Sequence, residues 1–339
     1  PSSDGPRLVF AMREPLIEGA DEDEQPTWNL WEYEVTTRRL HRVIQSDIVA
    51  EEGHDVAPHY LPDGRIVFSS TRQRQSRAIL LDEGKPQFAA QDEDRREDAF
   101  VLHVVNADGS GPRQISFNQS HDLDPAVLDD GRIVFSRWDN AGPNNEINLY
   151  TMRPDGTQLE LLYGAQSHAT GTDGGVVHFL EPRQRTDGRI LALARQFVAP
   201  ESGGQLLDID VANYVEIAQA TLPNRGVLTG PAQTPSTEND VRTTAAPSPG
   251  GRYSMGFPLR DGTGRLLVSW SQCRLLEGQR IVPCTAERLA TGTAIAAPPL
   301  YGIWIYDPRD RTQLPVAAPA EGVIYTDIVA LQPQPLPPV

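Results

Sequence analysis

The chain has 339 residues, with 46 acidic against 30 basic side chains and a formal net charge of −16. A surface this acidic repels phosphate backbones, which argues against nucleic acid and favours basic partners. No apolar run approaches the roughly 18 residues of a membrane-spanning helix. Together, 28 glycines and 29 prolines favour many short strands separated by turns.

The first elements in chain order are three strands over 7–12, 28–35 and 40–44, separated by a loop over 14–27 that carries the acidic run 21–24. They read as strands two to four of a four-stranded unit that lacks its first strand. Residues 54–69, HDVAPHYLPDGRIVFS, then nearly repeat as HDLDPAVLDDGRIVFS over 121–136, with eleven of sixteen positions identical. Each copy reads as a strand, a turn whose glycine supplies a positive φ, and a second, β-branched strand. Third strands follow over 100–105 and 147–152, each closed by an Asp-Gly hairpin, Asp108-Gly109 and Asp155-Gly156. Short fourth strands follow over 113–116 and 159–163.

A fainter pair lies further on, 172–194 against 248–270, with third strands over 205–209 and 302–306. The segment 326–331 reads as the first strand that the N-terminal unit lacks. A unit of this kind cannot bury its apolar face alone, so the copies must stack.

The expected fold is therefore all-β, a β-propeller of four-stranded antiparallel blades. Five blades are readable (7–45 with 323–333, 54–117, 121–163, 172–220 and 248–316), and a sixth would lie in 222–247. The C-terminal strand would close the ring against the N-terminal blade and remove free sheet edges. The whole of 1–339 reads as one domain and as a segment of a longer protein. Long loops are expected over 14–27, 71–98 and 222–240, and most of the five tryptophans are expected to pack between blades.

Candidate chemistry is sparse. His54-Asp55 and His121-Asp122 precede the innermost strand of adjacent blades, with His168 at the corresponding place in the next blade and Asp240 and Asp327 at two further ones. In a propeller these positions converge on the mouth of a central channel. Two readings stand for them. Imidazoles and carboxylates aimed at one axis would suit Zn²⁺ or another divalent metal, with His54, His121 and His168 as ligands. Alternatively, each His or Asp caps a blade-to-blade turn through backbone amides, as its repetition suggests. The acidic runs 21–24 and 92–98 lack the alternating spacing of a calcium loop and read as solvated. Cys273 and Cys284 flank a short loop and are compatible with either a local disulfide or two thiols. No metalloprotease, nucleophile-elbow, phosphate-loop or dinucleotide motif is present.

The phrases LPDGRIVFSSTR, DDGRIVFSRWD and VNADGSGPRQIS resemble the TolB-type propeller repeat. The order of DGRIVFSRWDN, LYTMRPDGT, LLYG, FLEPRQRTDGRILALAR, LLVSWSQC, YGIWIYD and IVALQPQPLPPV resembles the propeller-bearing region of the hydrazine synthase alpha subunit and its bacterial relatives. The narrower resemblance implies a periplasmic or extracellular protein, often accompanied by c-type cytochromes or by haem in neighbouring domains. The sequence holds no C-x-x-C-H, so no haem attaches here and hydrazine synthesis does not carry over. The expectation is a non-catalytic scaffold or protein-binding propeller of the bacterial envelope, with a protein partner or neighbouring domains of the same polypeptide. The alternatives are a metal-dependent or ligand-binding propeller working at the channel mouth, and an accessory subunit of a cytochrome-containing electron-transfer complex.

Overall fold

The computed structural model describes residues 1–2, 5–21, 24–85, 89–91, 98–141, 144–197, 203–227, 230–333 and 337. The acidic runs 21–24 and 92–98 fall largely outside these.

Short strands with apolar runs and glycine turns form the expected antiparallel sheets. The first sheet has three strands in the order β1 (Arg7–Met12), β2 (Asn29–Glu34), β3 (Arg39–Arg42). The second runs β4 (Asp55–Tyr60), β5 (Ile66–Ser70), β6 (Val101–Val105), β7 (Arg113–Gln114). The third runs β8 (Asp122–Val127), β9 (Ile133–Ala141), β10 (Asn144–Met152), β11 (Glu160–Tyr163). The fourth begins with β12 (His178–Gln184), β13 (Ile190–Arg195) and β14 (Gln205–Ile209). A small hairpin, β15 (Tyr214–Glu216) with β16 (Gln219–Ala220), then interrupts the sheet before β17 (Gln233–Pro235) completes it. The stretch 222–247 thus supplies a fourth strand to this sheet, where the sequence left room for a sixth blade.

The fifth sheet starts with β18 (Arg252–Pro258) and β19 (Leu266–Ser271). An arm of β20 (Arg274–Glu277), β21 (Arg280–Pro283) and β22 (Ile295–Ala296) forms a sheet of its own. Two strands, β23 (Gly302–Asp307) and β24 (Thr312–Ala317), complete the fifth sheet. Among the described residues, three short α-helices accompany the strands: α1 (Asp47–Ala50), α2 (Arg74–Asp82) and α3 (Ala286–Ala290). Of these, α2 lies within the stretch expected as a loop over 71–98.

The chain falls into two compact units. One comprises 1–145, 150–160 and 331–339, the other 146–149 and 161–330. In the first unit, Leu30, Val43, Ile44, Ile66, Phe68 and Val105 form one apolar core, and Leu61, Val67, Leu102, Ile133, Phe135 and Met152 form another. These are the second-strand "IVF" residues and their third-strand neighbours, so stacking of repeats builds the core. In the second unit, Met255 and Phe257 enclose Ile328.

This last contact corrects the strand expected over 326–331. Residues 326–331 form no strand. Instead, Ser254 Oγ donates to Thr326 O at 3.3 Å, Ser269 Oγ donates to Tyr325 O, and Ile328 plugs the apolar face of the fifth sheet.

The first strand of three sheets carries the same defect. Ala57, Asp124 and Glu181 have φ of 50°, 52° and 51°, and each stands directly before a proline (Pro58, Pro125, Pro182). In each case the register with the second strand slips at that point. Proline lacks an N–H for the ladder, so a bulge on a strand paired along one side is where it fits.

Candidate functional site

The residues before these bulged strands do defined work. Trp28, just ahead of β2, donates its N–H to His54 Nδ1 at 3.2 Å and accepts from the Asp55 N–H at 2.9 Å. Phe100, just ahead of β6, donates to His121 Nδ1 at 3.1 Å and accepts from the Asp122 N–H at 2.7 Å. Ile147 in β10 donates to His178 Nδ1 at 3.2 Å. An imidazole that accepts at Nδ1 from an amide is neutral and carries its proton on Nε2. Three times, then, a histidine takes up a backbone N–H of the preceding repeat. A fourth junction does the same without a side chain: Gly204 and Tyr253 exchange both backbone hydrogen bonds, at 2.8 and 2.9 Å. The close approach needs glycine, because a Cβ on Gly204 would overlap Ala194 O.

The histidine equivalent to His54 and His121 in the third repeat is therefore His178, and not His168 as the sequence reading placed it. The signal was present: His178, Pro182 and Asp187-Gly188-Arg189-Ile190 keep the spacing of His54, Pro58 and Asp63-Gly64-Arg65-Ile66. His168 is held differently. Its Nδ1 lies 2.5 Å from Val177 O and its Nε2 lies 2.8 Å from Asn148 Oδ1, with Glu146 at 3.6 Å. His178 is buried and stacks on Phe197, the ring centroids 3.6 Å apart. Burial, with the nearby charges of His168 and Arg195, holds its pKa down to about 4. A fifth histidine, His103 in β6, is likewise pushed down to about 3 by burial and stays neutral.

The aspartates that follow His54 and His121 are fully buried, and each faces an arginine. Arg72 forms an ion pair with Asp55, and it donates from Nε to Ser70 Oγ at 3.1 Å and from Nη1 to Val49 O at 2.9 Å. Burial raises the Asp55 pKa against the opposing pull of Arg72. Asp122 is held more loosely: Arg137 Nη1 is 3.5 Å from Oδ1, and Ser116 and Asn118 lie near its carboxylate without well-formed hydrogen-bond geometry. Burial pushes its pKa up to about 6, partly offset by the Arg137 charge. Arg137 also reaches Asp139 at 3.6 Å, and Asp139 accepts from the Tyr150 hydroxyl at 2.9 Å.

The remaining sequence candidates stand apart from these pairs. Asp240 is exposed, and its backbone carbonyl accepts from the Gly250 N–H at 2.7 Å. Asp327 is exposed beside the buried Ile328. Among the described residues, no three His, Cys, Asp or Glu side chains gather as metal ligands would. Cys273 and Cys284 are joined in a disulfide with Cα atoms 5.6 Å apart, which staples β20 to the end of β21. Sequence reasoning missed Arg72 and Arg137, because nothing in a repeat alignment marks a partner for a buried aspartate.

No protein-family model and no curated protein sequence matches the chain. Among solved structures, hydrazine synthase from Kuenenia stuttgartiensis is similar over 92% of this chain and 37% of its own, at 16% identity and a TM-score of 0.54. TolB from Acinetobacter baumannii is similar over 94% of this chain and 54% of its own, at 13% identity and a TM-score of 0.49. A TolB-type protein of Agrobacterium tumefaciens covers 48% of this chain and 47% of its own, at 17% identity and a TM-score of 0.33. The chain thus spans little more than a third of the hydrazine synthase chain. The likeness is one of fold, carried by the hydrazine synthase structure at low sequence identity, and the sheets described above are all-β and antiparallel.

Proposed function

We propose that the chain is a non-catalytic propeller module that docks another protein, or another part of its own polypeptide, in the bacterial envelope. The observation that carries this reading is the use made of His54, His121 and His178. Each spends its Nδ1 lone pair on a backbone N–H of the neighbouring repeat, which is structural work. The aspartates beside the first two are committed to Arg72 and Arg137. What differs between repeats is the insertions, namely the α2 segment and the stapled arm over 272–301, and loops on a rigid scaffold are where binding concentrates. The disulfide supports a periplasmic or extracellular location, since such bonds persist in oxidising compartments. The net charge of −16 favours a basic partner, which fits a c-type cytochrome.

Two measurements test this reading. Elemental analysis of the unchelated protein and of its His54→Ala and His121→Ala variants should show the same metal content, with lowered melting temperatures in the variants. Near-stoichiometric metal that vanishes on substitution would instead favour the metal-dependent alternative. Cross-linking mass spectrometry on the native assembly should place partner cross-links on the insertions. Links confined to sheet edges outside them would sink the docking reading.

A further inference from the structure

We infer that a cleft beside the Cys273–Cys284 disulfide binds a peptide carboxylate, the C-terminal carboxylate of a partner chain. The cleft is small and open on one side, and its lining includes Pro247, Arg252, Ser271, Arg274, Ala297 and Pro299. Its floor is Arg252, only 8% exposed. Arg252 Nη2 donates to the carbonyls of Thr244 at 2.6 Å and Ala246 at 2.7 Å. Its Nε–H and Nη1–H donors have no hydrogen-bond partner, and no carboxylate lies within ion-pair distance of it, among the described residues. Carbonyl dipoles offset part of the cost of burying this cation, but they leave its charge uncompensated. The chain holds 46 carboxylate side chains. One partly buried arginine without a carboxylate, at the floor of a cleft, is therefore a specific feature and not a general shortage of anions.

The second wall is Arg274. Its Nη1 donates to Pro298 O at 3.2 Å, and its Nη2 pairs with Glu321, whose side chain is 72% exposed. A pair whose carboxylate is this exposed is exchangeable, so Glu321 occupies Arg274 without sealing it. The disulfide fixes the backbone next to Arg274, and Arg252 and Arg274 both line the cleft. Guanidinium forks match a planar carboxylate through paired, charge-assisted hydrogen bonds. Pro247, Ala296, Ala297 and Pro299 also line the cleft, so the last side chain of a peptide would meet apolar groups beside the carboxylate. The assignment rests on the docking reading and names one contact it would use.

The test is peptide binding followed by calorimetry and by NMR of the arginine side-chain N–H groups. The probes are acetyl-Ala-Ala-Ala with a free C-terminus, its C-terminal amide, and an amidated peptide with an internal aspartate. The free acid should bind saturably, about tenfold or more tighter than the amide. Arg274→Gln should weaken binding about tenfold, and Glu321→Gln should tighten it several-fold by freeing Arg274. Arg252→Lys keeps the buried charge but loses the fork, so it should fold and still weaken binding. Thermal melts of each variant separate lost binding from lost fold. Equal binding of acid and amide, or no saturation, overturns the site. Equal binding of the internal-aspartate peptide overturns the C-terminal assignment. If the native assembly still cross-links through the insertions while the cleft takes no peptide, the cleft proposal fails and the docking reading stands.

Discussion

Gly109, in the hairpin between β6 and β7, lies directly against the carbonyl of Val43 in the preceding repeat, with no room between them for a side chain. Gly156, at the same place in the next repeat, meets Ile115 in the same way, its Cβ position 2.7 Å from Ile115 O. Both also have positive φ, 79° and 90°. The Asp-Gly hairpins thus have two jobs, turning the chain and seating one repeat on the backbone of its neighbour. Gly64 separates these roles, since it has φ of 86° and nothing within 4 Å of its Cβ position. Gly64→Ala should cost only the left-handed strain, about 1 kcal/mol. Gly109→Ala adds a backbone clash and should cost about 3 kcal/mol or more. Denaturant unfolding of the two variants checks this, and equal costs would show that the contact does not constrain the stack.

The histidine caps make a second prediction. His121→Ala strands the Phe100 N–H and removes the ring that stacks on Trp138, so it should cost roughly 2–4 kcal/mol. His178→Gln can still offer an oxygen to the Ile147 N–H but does not titrate. The folded pKa of His178 lies below its unfolded value of 6.5. Its neutral form is thus favoured by folding, and its contribution is complete above pH 6.5 and lost as pH falls toward about 4. Wild type should lose stability relative to His178→Gln across that window. Parallel stability–pH curves for the two proteins would contradict the assigned role.

The spacing His-x₃-Pro-x₄-Asp-Gly-Arg-Ile made the first two strands of three sheets legible, because turn chemistry and β-branched runs are local properties. What lay beyond reach was long-range. His54 finds its amide at Trp28, in the preceding sheet, and no local pattern names that partner. Arg72 and Arg137 both face the repeated aspartate, yet they stand at different offsets from the shared IVFS run, so alignment hides their common role. The segment 326–331 reads as a strand from its apolar run but lies along the fifth sheet, because Ile328 gains more from burial beside Met255 and Phe257. Helix α2 buries none of its residues, with Ile79 and Leu81 exposed, so no apolar stripe announced it.

Asp122 titrates in the opposite sense to His178. Its folded pKa is raised to about 6 from 3.8, so the folded state binds the extra proton between those values. Its stabilising contribution, relative to the ionised form, is complete below about pH 3.8 and lost as pH rises through about 6. Asp122→Asn removes this dependence. Wild type should therefore lose on the order of 3 kcal/mol relative to the variant between pH 4 and 7. Arg137 keeps Asp139 as a neighbour at 3.6 Å in the variant, so the fold has a second anion to hold it. Urea melts of both proteins at the two pH values measure the difference, and a constant offset would mean that Asp122 is ionised throughout.

The disulfide should matter locally. Cys273 and Cys284 are eleven residues apart, and closing a loop of that length is worth about 2–3 kcal/mol on the chain-entropy account. The arm they staple makes its own sheet of β20, β21 and β22, with Ile281 and Ile295 exposed, so it has little apolar burial to fall back on. Cys273→Ser/Cys284→Ser should raise hydrogen exchange across 272–301 while β18, β19 and β23 keep their protection. If the fourth and fifth sheets loosened with the arm, the staple would be holding the second unit as a whole, and the arm could not be treated as an appendage that presents the arginine cleft.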